Sequence, residues 1–239
     1  MTIHHLDPRN RQPEDRRQAP RILYSGTRNA SSWAMRAWLA LREAGVAFQE
    51  EIVDIRPPQR FPNLERIGAF SPPAAVPVLV DGDTVIFDSL AIMEYANELA
   101  SGGLLPLDAR ARARARSLVA WQHSGLSGLC PRLSFESAFY PDRRAMTAEE
   151  VAGAVRVFDA WEAELVRSGG PWLAGSLSLA DLVFVPTVVR LHAHVAGSGI
   201  DPASWPRAFA WMDALLARDS VREWLDEARP LPPVRLREY

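Results

Sequence analysis

Residues 74–92, AAVPVLVDGDTVIFDSLAI, constrain the fold more than any other stretch of the chain. Two short apolar runs, 76–80 and 84–87, flank Asp81-Gly82-Asp83, and an Asp-Gly pair between β-branched runs is a strong short-range hairpin signal. Pro77 follows Val76 at the head of the first run, where a missing N–H need not interrupt a central ladder. Asp88 and Ser89 then stand before Leu90, Ala91 and Ile92. Either can cap a helix, and the free amides and dipole of a helix N-terminus favour an anion. A proline-fixed strand edge beside such a helix start suits a small peptide carrying a free carboxylate.

The chain leading into this stretch reads as alternating strands and helices. Residues 22–24 form a short apolar run, a polar loop covers 25–30, and a helical pattern starts at Ser31 or Ser32 with Trp33, Ala37, Ala40 and Leu41 on one face. Gly45 is placed as the left-handed residue that ends this helix. Residues 48–53 read as a second strand, so a βαβ unit with parallel strands and a right-handed crossover is expected. Pro57-Pro58 breaks the chain, and a weaker helix fits 60–67. With the hairpin and a helix to about 99, residues 21–100 give the order β-α-β-α-β-β-α and a mixed sheet.

The segment 101–107 carries Gly102, Gly103 and Pro106 and reads as a linker, and the all-helical segment 108–239 follows. A helix over 109–125 repeats arginine at 110, 112, 114 and 116; at 100° per residue that spacing spreads them over two faces, as on a solvated or subunit-facing surface. A helix over 147–166 starts with Thr147 and Glu150 as a capping box. Ser178 and Asp181 form a second box, with Leu177 and Leu182 as a hydrophobic staple, ahead of an apolar run that specifies a buried helix start. Two last helices fit 206–217 and 220–228.

The remainder of the sequence chiefly excludes. Residues 1–20 are polar and rich in arginine and proline, and are expected to form a disordered tail. The formal net charge of −2 argues against nucleic acid or an anionic membrane as partner, although all 27 basic residues are arginine. Cys130 stands alone, which removes a disulfide framework, a CxxC pair and a cysteine-based zinc site; no metal is expected. No apolar run reaches the roughly 18 residues of a membrane span and no signal-peptide core is present, so a cytoplasmic setting is expected.

Four places together resemble the cytosolic glutathione transferase (glutathione S-transferase, GST) family. Ser71-Pro72-Pro73-Ala74-Ala75-Val76-Pro77-Val78-Leu79 is similar to the segment carrying that family's cis-proline. Asp88-Ser89-Leu90-Ala91-Ile92 resembles its acidic-Ser-x-x-Ile turn, and Ser178-Leu179-Ala180-Asp181 its helical-domain capping box. The run from Ser204-Trp205-Pro206 to Trp224 resembles its closing helices. The resemblance implies the GST fold: an α/β, thioredoxin-like N-terminal domain followed by an all-α C-terminal domain. Within the family, Asn29-Ala30-Ser31-Ser32-Trp33-Ala34-Met35-Arg36 is most similar to the serine-type bacterial and zeta-like branches. Counted from Arg36, Ser31 falls where the omega and beta branches place a cysteine, and Asn29 where the zeta and theta branches place their active serine. The catalytic hydroxyl is thus left between Ser31 and Ser32. Ala75 stands where relatives often carry a long polar residue.

What the resemblance implies is activation of the glutathione thiolate for attack on a small hydrophobic electrophile. A free thiol has a pKa of roughly 8.5, so a hydroxyl donating to sulfur at a helix N-terminus favours the nucleophilic form. Glutathione, as co-substrate, would pair its cysteinyl unit with the backbone of Val76 beside a cis Pro77. Its γ-glutamyl carboxylate would go to Ser89 and its amine to Asp88. The electrophile is expected between the domains, near Trp121, His123 and Leu126, with His192 and His194 as further candidates. A homodimer through the third helix and the helix after the linker is implied as well. The alternatives are a maleylacetoacetate isomerase-like enzyme that returns glutathione unchanged, and a non-catalytic binding protein on the same scaffold.

Overall fold

The structure is a computed structural model and describes residues 20–233. The tail expected over 1–20 therefore lies, apart from Pro20, outside the described residues, as does 234–239. β1 (Ile22–Gly26), α1 (Ser32–Glu43) and β2 (Gln49–Val53) form the expected βαβ unit, with β1 and β2 parallel. α2 (Arg60–Gly68) leads to β3 (Val78–Asp81) and β4 (Thr84–Phe87), and α3 (Ser89–Leu99) follows. The sheet order is β2-β1-β3-β4, with β3 antiparallel to both its neighbours. That order places Val78, Leu79 and Val80 in the centre of the sheet, which is why the run is apolar on both faces.

The hairpin differs from its expected register in two ways. Pairing begins at Val78, and the Val76-Pro77 peptide just before it is cis. At the other end Asp81 still pairs with Thr84, so the turn residues are Gly82 and Asp83. Gly82 takes φ +62°, the glycine-first arrangement of a II′-type turn. Asp81 is held instead by Arg21 Nε and the Tyr95 hydroxyl, each donating at 2.7 Å.

α1 is buried along almost its whole length because it packs on the sheet with one face and on helices with the others. Ser31 caps it, its Oγ accepting from the Ala34 amide, and Gly45 at φ +66° ends it as expected.

The helical half comprises α4 (Ala109–His123), a short α5 (Leu129–Arg132), α6 (Ala148–Ser168), α7 (Leu179–Leu182), α8 (Val185–Val195), α9 (Pro206–Leu216) and α10 (Asp219–Ala228). Both capping boxes are formed. The helix expected to continue from Ser178 instead breaks at Val183-Phe184 into α7 and α8. Pro186 sits in the first turn of α8, a position that needs no N–H donor and fits a new start better than a helix interior. Three of the arginines of α4 are tied within the chain. Arg112 donates to the carbonyls of Pro106 and Leu107, Arg114 pairs with Glu164, and Arg116 grips Glu94. The expected linker is anchored as well: the Leu104 amide donates to Asn97 Oδ1 at 2.9 Å, and its carbonyl accepts from Leu179 at 2.8 Å.

Asp181 is the polar centre of this half. Its Oδ1 accepts from the Leu173 amide and Trp211 Nε1, and its Oδ2 from the amide and hydroxyl of Ser178, all at 2.9 Å. Burial pushes its carboxyl above the ordinary range, while the four donors pull the other way. Trp211 in turn packs on Trp161, ring centroids 4.8 Å apart, so the box fixes both a helix start and the aromatic core. Among the described residues no helix is long and apolar enough to cross a membrane.

Asp181→Ala leaves several buried donors unpaired, at roughly 1–3 kcal/mol each, and should lower the unfolding free energy by at least about 3 kcal/mol in urea titration. His194 gives a pH signature. It is buried with Nε2 2.9 Å from Ser137 Oγ, and burial lowers its pKa from 6.5. The folded chain then holds fewer protons than the unfolded chain, so this stability is complete above pH 6.5 and is lost as pH falls. His194→Gln should flatten the decline in stability measured between about pH 7 and 5.5.

Candidate active site

Gly26 ends β1 where two segments meet. A Cβ there would lie 2.7 Å from both Cβ and Oγ of Ser31 and 3.0 Å from Cγ2 of Val76. Only a residue without a side chain lets the start of α1 approach the segment before Pro77 this closely. On the outer side of that contact lies a cavity of about 340 Å³ between the two halves. Ser31, Ser32 and Trp33 form one wall, Ala75 and Val76 another, and Arg60 of α2 stands on the α/β side. A second cavity of about 240 Å³ shares Trp33, Ala75 and Val76 and continues to Pro77, Asp88 and Ser89. The two form one groove, and it brings together Ser31, Ser32, Val76, Pro77, Asp88 and Ser89.

At the Ser89 end, Asp88 adopts φ +72° and caps α3, accepting from the Leu90 amide at 2.8 Å. Its Oδ2 lies 3.6 Å from His123 Nε2, and the imidazole meets the Trp33 ring edge-on at 5.2 Å. Ser89 is 1% exposed, and its Oγ has no hydrogen-bond partner. A buried hydroxyl left unpaired at a helix N-terminus is an arrangement that an acceptor entering the groove would complete.

The three candidates for the reacting end separate. Asn29 is fully buried and lines neither cavity; its Nδ2 donates to the carbonyls of Pro232 at 3.0 Å and Leu231 at 3.4 Å. Ser32 Oγ accepts from Arg190 Nη2 at 3.2 Å and so faces the helical half. Ser31 lines the same cavity as Val76, and accepting from the Ala34 amide leaves its hydroxyl hydrogen available to donate.

The helical wall is not the expected one. Trp121 packs against Phe184 at 5.9 Å, Leu126 is in the core, His192 lies beside Asp213, and His194 is bonded to Ser137; none of them lines the groove, and His123 touches it only through Asp88 and Trp33. Instead the wall consists of Cys130, Pro131, Ser134, Phe135, Glu136 and Arg190. After α4 the chain turns through Gly125 and Gly128, at φ +83° and +94°, which swings 130–136 over the cavity. Those two glycines are the only sign of the turn in the sequence, and nothing marks Arg190.

Arg28, also unforeseen, fixes the loop between β1 and α1. It is 4% exposed, donates to Glu50 at 2.6 Å, pairs with Glu227 at 2.8 Å, and lies 4.3 Å over the Trp224 ring. Trp224 Nε1 donates to the Arg28 carbonyl and Trp38 Nε1 to Glu50. Burial raises the Glu50 pKa, and the Arg28 charge opposes that shift. Among the described residues no group of His, Cys, Asp and Glu side chains is placed to hold a metal ion.

Family models for the glutathione S-transferase N-terminal domain and C-terminal domain match residues 30–99 and 144–214. The chain belongs to the glutathione S-transferase family. It is 30% identical over 215 residues to glutathione S-transferase 1 of Dianthus caryophyllus, covering 87% of this chain and 93% of that protein. It is also 29% identical over 219 residues to the maleylacetoacetate isomerase of Mus musculus, covering 90% and 97%. Among solved structures it is similar to a glutathione transferase homolog from Burkholderia GL BGR1 with bound glutathione, at TM-score 0.64 and 24% identity, covering 90% and 100%. The GST fold expected from the resemblance is the fold observed.

Gly26→Ala should force Ser31 and Val76 apart and lower stability by about 1–3 kcal/mol, the usual cost of overpacking, as read from urea unfolding.

Proposed function

We propose that this member of the family is a glutathione transferase with Ser31 as the thiol-activating hydroxyl. The observation that carries the reading is the continuous groove in which the unpaired Ser89 hydroxyl, the off-ladder backbone of Val76 and the Ser31 hydroxyl follow one another. Glutathione has the matching order of groups. Its γ-glutamyl carboxylate goes to Ser89 at the start of α3, with Asp88 opposite the amine. The cysteinyl unit pairs with the Val76 backbone, which lies ahead of the β3 ladder. The glycyl carboxylate then runs toward Arg60, a cation that periodicity alone did not single out.

Placed this way, the sulfur meets Ser31 at the positive end of α1. A hydrogen bond to a charged group contributes roughly 1.5–3 kcal/mol, which corresponds to about one to two pKa units and makes thiolate a main species near neutrality. The thiolate pair forms the carbon–sulfur bond while the leaving group departs with its own pair, or, at an activated double bond, while the displaced pair takes up a proton. Serine does not form the mixed disulfide available to a cysteine, which favours conjugation over thiol transfer. Asn29, at the position that zeta-like enzymes use, is occupied with the C-terminal segment, and this weighs against their assignment of the hydroxyl.

Ser31→Ala should raise the pKa of bound glutathione by about one to two units in a thiolate absorbance titration, with binding kept. Ser32→Ala should move it less; the reverse order would transfer the role to Ser32. Ser89→Ala should weaken glutathione binding about tenfold or more by calorimetry. A cytoplasmic homodimer with α3 and α4 at the interface completes the reading. Sedimentation at micromolar concentration should give twice the monomer mass, and a monomer would remove that part.

A further inference from the structure

We propose that His123 of α4 is a positioning residue for glutathione, acting through Asp88 to orient the carboxylate that receives the γ-glutamyl amine. The inference rests on the glutathione reading above and adds to it a residue of the helical half that stands behind the groove.

His123 is the last residue of α4, and its ring reaches two residues that line the smaller cavity. Nε2 lies 3.6 Å from Asp88 Oδ2, and the ring meets Trp33 edge-on with centroids 5.2 Å apart. At 3.6 Å the contact with Asp88 is electrostatic and not a hydrogen bond. Nδ1 is buried and has no hydrogen-bond partner, so nothing holds a proton there. The neutral ring then carries its proton on Nε2, where the N–H dipole faces the carboxylate.

The two oxygens of Asp88 have separate tasks. Oδ1 accepts from the Leu90 amide at 2.8 Å and caps α3, while Oδ2 is turned toward His123. The Asp88 side chain is half-exposed, so without the imidazole only the cap bond would set the plane of the carboxylate. The elements carrying the two residues are tied to each other. Arg116, two turns before His123 on α4, donates to both oxygens of Glu94 on α3 at 2.9 and 3.0 Å. Trp33 is held from another side by the Arg36 guanidinium, 4.0 Å from its ring centroid. An ammonium group presents directed donors, and an acceptor already oriented for it binds with less loss of side-chain freedom. His123 thus makes the placing of the amine depend on the helical half.

Two ligands test this without turnover: glutathione and glutaryl-cysteinylglycine, the analogue lacking the amine, titrated calorimetrically into the full-length protein. The unmodified protein should bind glutathione at least about tenfold more tightly than the analogue. His123→Phe keeps a ring against Trp33 and removes the Nε2 donor. It should lower that ratio about three- to fivefold and leave analogue binding within about twofold. His123→Gln, whose side-chain amide can donate to Asp88, should restore part of the ratio. In an Asp88→Asn background, His123→Phe should change the ratio no further. Each ratio is read within one variant, so a loss of folded protein common to both ligands cancels. An unchanged ratio in His123→Phe overturns the proposal, as does a drop that persists in the Asp88→Asn background. Equal binding of the two ligands by the unmodified protein overturns it as well, while the Ser89 and Ser31 parts of the glutathione reading stand. If neither ligand binds, the glutathione reading fails and this inference fails with it.

Discussion

The buried guanidinium of Arg28 is the contact on which the geometry of the groove depends. It lies in the short loop between β1 and α1, and it ties that loop to β2 through Glu50 and to α10 through Trp224 and Glu227. A cation taken out of water is stable only when charge partners and ring faces replace its hydration, and here all are present. The next residues in the chain, from Asn29 to Ser32, inherit that fixed position. The start of α1 is thus located by both halves of the molecule at once, so the hydroxyl at its cap and the wall opposite keep a constant separation.

The same logic recurs at Asp181. A polar group is buried where it can collect several donors, and the elements that supply the donors are thereby aligned. Ser178 belongs to the helix start, Leu173 to the loop before it, and Trp211 to α9. The bond from Leu179 to the Leu104 carbonyl extends this network to the segment between the two halves. Rigidity at the groove is therefore built from a few internal hydrogen-bonded centres as well as from apolar packing.

Much of this was legible in the residues. Hairpin, caps and helix starts are local chemistry: a turn needs glycine, a cap needs a short polar side chain, and both leave a mark at fixed spacing. The end of the groove proposed to bind glutathione is made of just such parts, and Val76, Pro77, Asp88 and Ser89 line one cavity. The opposite wall is built from pieces of three or four residues, too short to show a period, and from Arg190, whose placement depends on long-range packing. Trp121 and Leu126 looked suited to a pocket because they are apolar and lie in or just after α4, but apolar residues serve a core equally well, and that is where they pack. The choice between Ser31 and Ser32 was likewise closed to inspection of the chain. It depends on the neighbour of each hydroxyl, the Ala34 amide for Ser31 and Arg190 for Ser32.

Asn29 has a practical consequence. Its amide grips the carbonyls of Leu231 and Pro232, and the Tyr140 hydroxyl takes the Leu231 carbonyl as well. The backbone just past α10 is thus a latch on the loop that carries the proposed activating serine, though it contributes no side chain to the groove. Shortening the chain before Leu231 would cut that latch and leave the Asn29 amide, buried next to the active loop, without its two acceptors.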